Sequence, residues 1–77
     1  NSVLVYPNPF NAEISISWLG NTPNQLTVYD AMGKLVLSVV PKQGTSNVSI
    51  PTLWSEGVYL LRLESEGYIV TKRLIKQ

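Results

Sequence analysis

Glu13-Ile14-Ser15-Ile16-Ser17-Trp18 is the stretch whose reading decides the fold. Side chains of an extended chain alternate sides, so Ile14, Ile16 and Trp18 share one face while Glu13, Ser15 and Ser17 share the other. That period of two describes a strand with one buried face and one wet face. The same grammar recurs outward from it: Val3 to Tyr6 before, then Gln25 to Tyr29, Leu35 to Val40, Asn47 to Ile50, Gly57 to Glu64 and Tyr68 to Ile75. The chain therefore reads as seven short strands. No stretch supports a helix, since Thr52 to Glu56 is at most one turn.

The punctuation between these segments agrees. Pro7-Asn8-Pro9 stops the first strand, because proline fixes φ and cannot donate to a ladder. Gly20 to Asn24 is a loop of turn formers. Asp30-Ala31-Met32-Gly33 reads as a hairpin turn, with Gly33 free to take positive φ and Asp30 able to cap the bend. Pro41 to Gly44 and Pro51 to Glu56 are further loops, and Ser65-Glu66-Gly67 closes the last hairpin. Short strands at this spacing predict an all-β, seven-stranded antiparallel sandwich. In the last hairpin Tyr59, Leu61 and Leu63 share one face and Val58 and Leu60 the other, with Tyr68, Val70 and Leu74 opposite Ile69 and Ile75. Apolar residues on both faces predict a hairpin that is central to its sheet or covered by a partner.

Composition bounds the function. At 77 residues the chain holds one small domain, with 44% apolar residues and only 14% charged ones. It has no cysteine, which excludes disulfides and thiolate metal sites. The net charge of +1 points to neither nucleic acid nor an anionic membrane. Its distribution is uneven: Lys72, Arg73 and Lys76 bring three of the six positive charges into the last six residues. No apolar run approaches the roughly 18 residues of a membrane span. Asn1 opens without the basic and apolar regions of a signal peptide, so the chain reads as a fragment of a longer protein.

With no His or Cys, the commonest general base and the best thiol nucleophile are absent. Glu13, Asp30, Glu56, Glu64 and Glu66 are scattered, and a two-carboxylate site needs acids held about 5–10 Å apart across a cleft. No enzymatic activity is expected, and no cofactor or metal. Asp30 near Asn21 or Asn24 falls short of the oxygen ligands that calcium wants, and turn chemistry is the preferred reading. Asn47-Val48-Ser49 matches a glycosylation triplet, but Val48 reads as a core position. Trp18 and Tyr59 lie on inward faces and read as core. Trp54, in a loop, is either a stacking platform for sugars or a plug for the end of the sandwich, and the plug is preferred. For the basic end two readings stand. The cations discourage edge-to-edge pairing, or an exposed terminal strand is offered to a receptor.

Four motifs in order carry a resemblance. Tyr6-Pro7-Asn8-Pro9-Phe10-Asn11 resembles the opening motif of the C-terminal sorting domains of type IX (Por) secretion. Val28-Tyr29-Asp30-Ala31-Met32-Gly33-Lys34-Leu35-Val36 resembles the family's D-x-x-G-[KR] motif, Gly57-Val58-Tyr59 its G-x-Y strand, and Lys72-Arg73-Leu74-Ile75-Lys76 its closing basic-aliphatic motif. The resemblance spans essentially the whole chain. It implies an immunoglobulin-like sandwich, a single domain over residues 1–77, at the C-terminus of a larger secreted protein.

By the same resemblance, the attached N-terminal cargo would cross the outer membrane of a Gram-negative bacterium through the type IX translocon, by way of the periplasm. A sortase-like peptidase would then remove the domain or exchange it for a surface anchor, leaving the cargo secreted or on the cell surface. Gly57, Tyr59, Lys72, Arg73, Leu74, Ile75 and Lys76 are the implied recognition residues. Tyr6, Pro7, Asn8, Pro9, Phe10, Asn11, Asp30 and Gly33 read as conformational fixtures. The competing expectation is an immunoglobulin-like or fibronectin-like accessory module of a secreted enzyme, carbohydrate-binding or purely structural.

Overall fold

In a computed structural model, residues 3–77 are described; Asn1 and Ser2, the opening of the expected 1–77 domain, lie outside the described residues. Seven strands follow one another: β1 (Val3–Tyr6), β2 (Glu13–Trp18), β3 (Gln25–Asp30), β4 (Leu35–Val39), β5 (Asn47–Pro51), β6 (Gly57–Ser65) and β7 (Tyr68–Lys76). They form two antiparallel sheets, β1-β2-β5 and β4-β3-β6-β7. In the lettering of immunoglobulin-like sandwiches these read A-B-E and C′-C-F-G. The all-β immunoglobulin-like expectation is met, and no helix occurs among the described residues.

The alternation read from the sequence is the alternation of burial. Ile14, Ile16 and Trp18 are buried while Glu13 is exposed, and Ser15 lies on the outer face with its Oγ 3.1 Å from that of Ser49. Facing them, Leu26 and Val28 of β3, Tyr59, Leu61 and Leu63 of β6, and Leu74 of β7 complete one continuous core. Thr52 joins it as a buried polar residue, its hydroxyl donating to the Asn11 carbonyl at 2.8 Å. Pro51 is tolerated in β5 because that strand lies at the edge of its sheet.

The last hairpin departs from expectation. Only β6 is central; β7 is an edge strand, and both strands keep one apolar face toward solvent through Val58, Leu60, Ile69 and Ile75. The expectation of a hairpin central to its sheet therefore holds for β6 and not for β7.

Removing the Leu61 side chain, which is fully buried at the middle of β6, should cost about 2–5 kcal/mol. A domain this small has only a few kcal/mol to lose, so Leu61→Ala should be largely unfolded in a urea titration. Leu53→Ser, at a side chain 97% exposed, should shift stability by no more than about 0.5 kcal/mol.

Candidate functional site

The register of the sheets brings the four sequence motifs together at one end of the sandwich. Asp30 pairs with Tyr59 across β3 and β6, Tyr59 with Leu74 across β6 and β7, and Gly57 with Lys76. Phe10, from the β1–β2 connection, forms a parallel bridge with Lys76. Residues from positions 10, 30, 57–59 and 74–76 thus meet, although they are spread along the whole sequence. Val3 lies at the opposite end, beside Trp18.

The β1–β2 connection closes the edge of β7. Odd-numbered residues of β7 point their backbone groups away from β6, which would leave them bare on an edge strand. The Asn8 side-chain amide behaves there like a strand residue: its Nδ2 donates to the Arg73 carbonyl at 3.1 Å, and its Oδ1 accepts from the Ile75 amide at 3.0 Å. Phe10 continues the ladder, donating to the Ile75 carbonyl at 2.9 Å and accepting from the Gln77 amide at 2.8 Å. Both X–Pro bonds of this connection, Tyr6–Pro7 and Asn8–Pro9, are cis.

Beneath this clasp, three aromatic rings plug the end of the core. Phe10 is wholly buried, and its ring meets Trp54 edge-on at 5.7 Å between centroids; Trp54 meets Tyr59 at 5.0 Å, tilted by 42°. The edge-on contact of Phe10 with Trp54 is one the ring quadrupoles favour. The Tyr59 hydroxyl donates to the Ser55 carbonyl at 2.5 Å, reproducing the tyrosine corner at the start of strand F in immunoglobulin-like folds. Trp54, half-buried in this stack, is a plug. Gly57 leads into Tyr59 at φ +148°, a conformation that L side chains rarely adopt.

The turn after β3 is held by its own acid. Asp30 Oδ1 accepts from the amides of Met32 and Lys34, both at 2.9 Å, and Gly33 takes φ +84°. Carboxylate capping of two turn amides that flank Gly33, with that glycine at the left-handed position, fits the D-x-x-G spacing. The Asp30 backbone closes the hairpin on both sides, its amide bonding Lys34 O and its carbonyl accepting from Gly33 N.

The cations of the closing motif are not in ion pairs with any described residue. Among the described residues the one ion pair joins Arg62 to Glu64 at 3.9 Å, on the outer face of β6. Lys72 and Arg73 are exposed, and Lys76 is half-buried, its Nζ donating to the Gln77 carbonyl at 2.8 Å. By the alternation of β7, Arg73 lies on the same face as the exposed Ile75, while Lys72 and Lys76 lie on the side of Leu74, along the edge of the sheet.

A model of the secretion-system C-terminal sorting domain matches residues 4–77. The chain belongs to that family. Among curated proteins no match is found. A sorting domain of this kind is a signal rather than a catalyst: it directs an attached cargo through type IX secretion, and that cargo is secreted or displayed at the cell surface.

Within the sorting domain, the residues singled out from sequence fall into two sets. Tyr59 and Leu74 are buried, at 7% and 0% exposure, and their side chains face the core. Gly57, Lys72, Arg73 and Ile75 are exposed, and Lys76 is partly so. Tyr6, Pro7, Asn8, Pro9 and Asn11 are exposed at the surface around the buried Phe10. Sequence reasoning missed Thr52, which pins the β1–β2 connection twice, through its hydroxyl to Asn11 and its amide to the Ala12 carbonyl at 3.0 Å. It also missed Ser55 as the acceptor for Tyr59. Thr52 acts across 41 positions of sequence, and Ser55 through a backbone carbonyl that its residue type does not mark.

Tyr59→Phe should lower stability by about 1 kcal/mol, the net worth of a hydrogen bond. Trp54→Ala, which uncovers Phe10 and Tyr59, should lower it by about 2 kcal/mol or more. Chemical unfolding followed by the remaining aromatic fluorescence measures both, and an unperturbed Trp54→Ala would show that the ring does not plug the core.

Proposed function

We propose that the type IX translocon recognises this domain at the end where the four motifs meet, through the side chains of Lys72, Arg73, Ile75 and Lys76 and the exposed backbone at Gly57. Tyr59 and Leu74 act from beneath, fixing the strands that carry these groups. Tyr6, Pro7, Asn8, Pro9, Phe10 and Asn11 hold β7 in place, and Asp30 and Gly33 shape the neighbouring turn.

The observation that carries the reading is the convergence of all four motifs at the end opposite Val3. Chain preceding Val3 departs from the far end of a body 31 Å long. The point where a preceding cargo attaches is thus held away from the motif end. The Arg73 carbonyl, both backbone groups of Ile75 and the Gln77 amide are already hydrogen-bonded to Asn8 and Phe10. A receptor reading this segment consequently engages side chains, unless it first displaces the clasp. The domain is the C-terminal unit of a larger protein. It folds in the periplasm before export, and a sortase-like peptidase cleaves ahead of it.

A reporter fused ahead of residues 1–77 should leave a type IX-competent host and stay in the periplasm of a translocon mutant. Changing Lys72, Arg73 and Lys76 together to Gln should reduce that export severalfold, while costing no more than about 0.5 kcal/mol of stability per site. Export of the triple variant at the unmodified rate would exclude the basic side chains as determinants. Retention of the unmodified fusion in both hosts would instead leave the domain as an accessory or structural module.

A further inference from the structure

The end of the sandwich opposite the motifs carries a cleft of about 440 Å³. Three separate connections build it: Asn21 and Asn24 from the β2–β3 loop, Gln43 from the β4–β5 loop, and Ser65, Glu66 and Tyr68 from the last hairpin. Its volume lies within the range of small-molecule sites, about 300–1,000 Å³. Ser65 contributes a second, independent observation. Its Oγ is the one buried side-chain polar atom among the described residues with no hydrogen-bond partner. A buried hydroxyl left unpaired costs free energy that a partner would return, and a single step of χ1 between staggered wells redirects it.

We propose that this cleft binds a neutral saccharide of one or two rings. A primary amide offers an acceptor and two donors side by side, and a carboxylate accepts two hydroxyl protons at once. Three amides and Glu66 therefore match vicinal sugar hydroxyls, which need donors and acceptors in alternation. The half-buried Tyr68 adds an apolar ring face for sugar C–H groups and a polar tip. Glu66 is the one charged side chain lining the cleft, so a phosphate, sulfate or carboxylate ligand would be repelled. The site stands apart from translocon recognition, since it lies at the other end of the molecule.

The test is a titration of the isotope-labelled 77-residue chain, followed by backbone amide shifts. The probes are methyl α-D-glucopyranoside, N-acetyl-D-glucosamine and maltose, with sodium phosphate and calcium chloride as controls. At least one sugar should give saturable shifts confined to residues 19–24, 43 and 65–68, at concentrations up to about 50 mM, as millimolar affinity requires. Ser65→Ala should weaken that binding about fivefold, the factor one hydrogen bond is worth, while leaving the sugar-free domain as stable as before or more so. Gln43→Ala, at an exposed loop residue, should weaken it similarly with the fold intact. No saturable shift with any of the three sugars, or saturation by phosphate or calcium alone, would overturn the proposal. So would a Ser65→Ala variant that binds the sugar undiminished.

Discussion

Two hydrogen bonds from the side chain of Asn8 to the edge of β7 tie the first motif of the chain to its last, across 65 positions of sequence. An edge strand with its outward amides and carbonyls bare is a template for unwanted pairing. Here Asn8 and Phe10 occupy the Arg73 carbonyl, both backbone groups of Ile75 and the Gln77 amide, and the ring of Phe10 drops into the core directly below. The Phe10–Trp54–Tyr59 stack, the corner hydrogen bond of Tyr59 and the pinning of Asn11 by Thr52 all depend on the connection lying along β7. That placement adds to the β6 ladder a second set of bonds on the opposite edge of β7.

This geometry gives the domain a polarity. The motif end is assembled from every part of the sequence, so it exists only when both sheets have formed. The other end receives the preceding chain at Val3 and holds the amide-lined cleft. A sorting signal built this way presents its terminal strand in final form only after the first strand, its connection and the last hairpin have met. That supplies a physical route by which export could depend on completed folding.

Much of this was legible in sequence because strands announce themselves locally. Ile14-Ser15-Ile16-Ser17-Trp18 alternates in burial as it alternates in polarity, and Asp30 with Gly33 specified a turn whose hydrogen bonds follow from residue type. What was not legible came from contacts between distant residues. Val58, Leu60 and Ile75 raised the expectation of a hairpin central to its sheet or covered by a partner, yet β7 is an edge, since apolar character does not say which strand lies next. Trp54 carried two readings until its distances to Phe10 and Tyr59 decided for the plug. Asn8 looked like one residue of a proline turn, and its reach to Arg73 and Ile75 has no local signature. The cleft draws on three loops whose approach is set only by the fold.

The claim that the first motif holds the last strand is tested most directly by amide hydrogen exchange in the unmodified chain and in Asn8→Ala. In the unmodified chain the amides of Ile75, Phe10 and Gln77 should be protected although they lie at a sheet edge. In Asn8→Ala the Ile75 amide should exchange at least about tenfold faster, with Phe10 and Gln77 following, while the amides of central β6 keep their protection, as local opening rather than global unfolding predicts. Unchanged protection at Ile75 in the variant would contradict the account, because the edge of β7 would then be held by something other than Asn8.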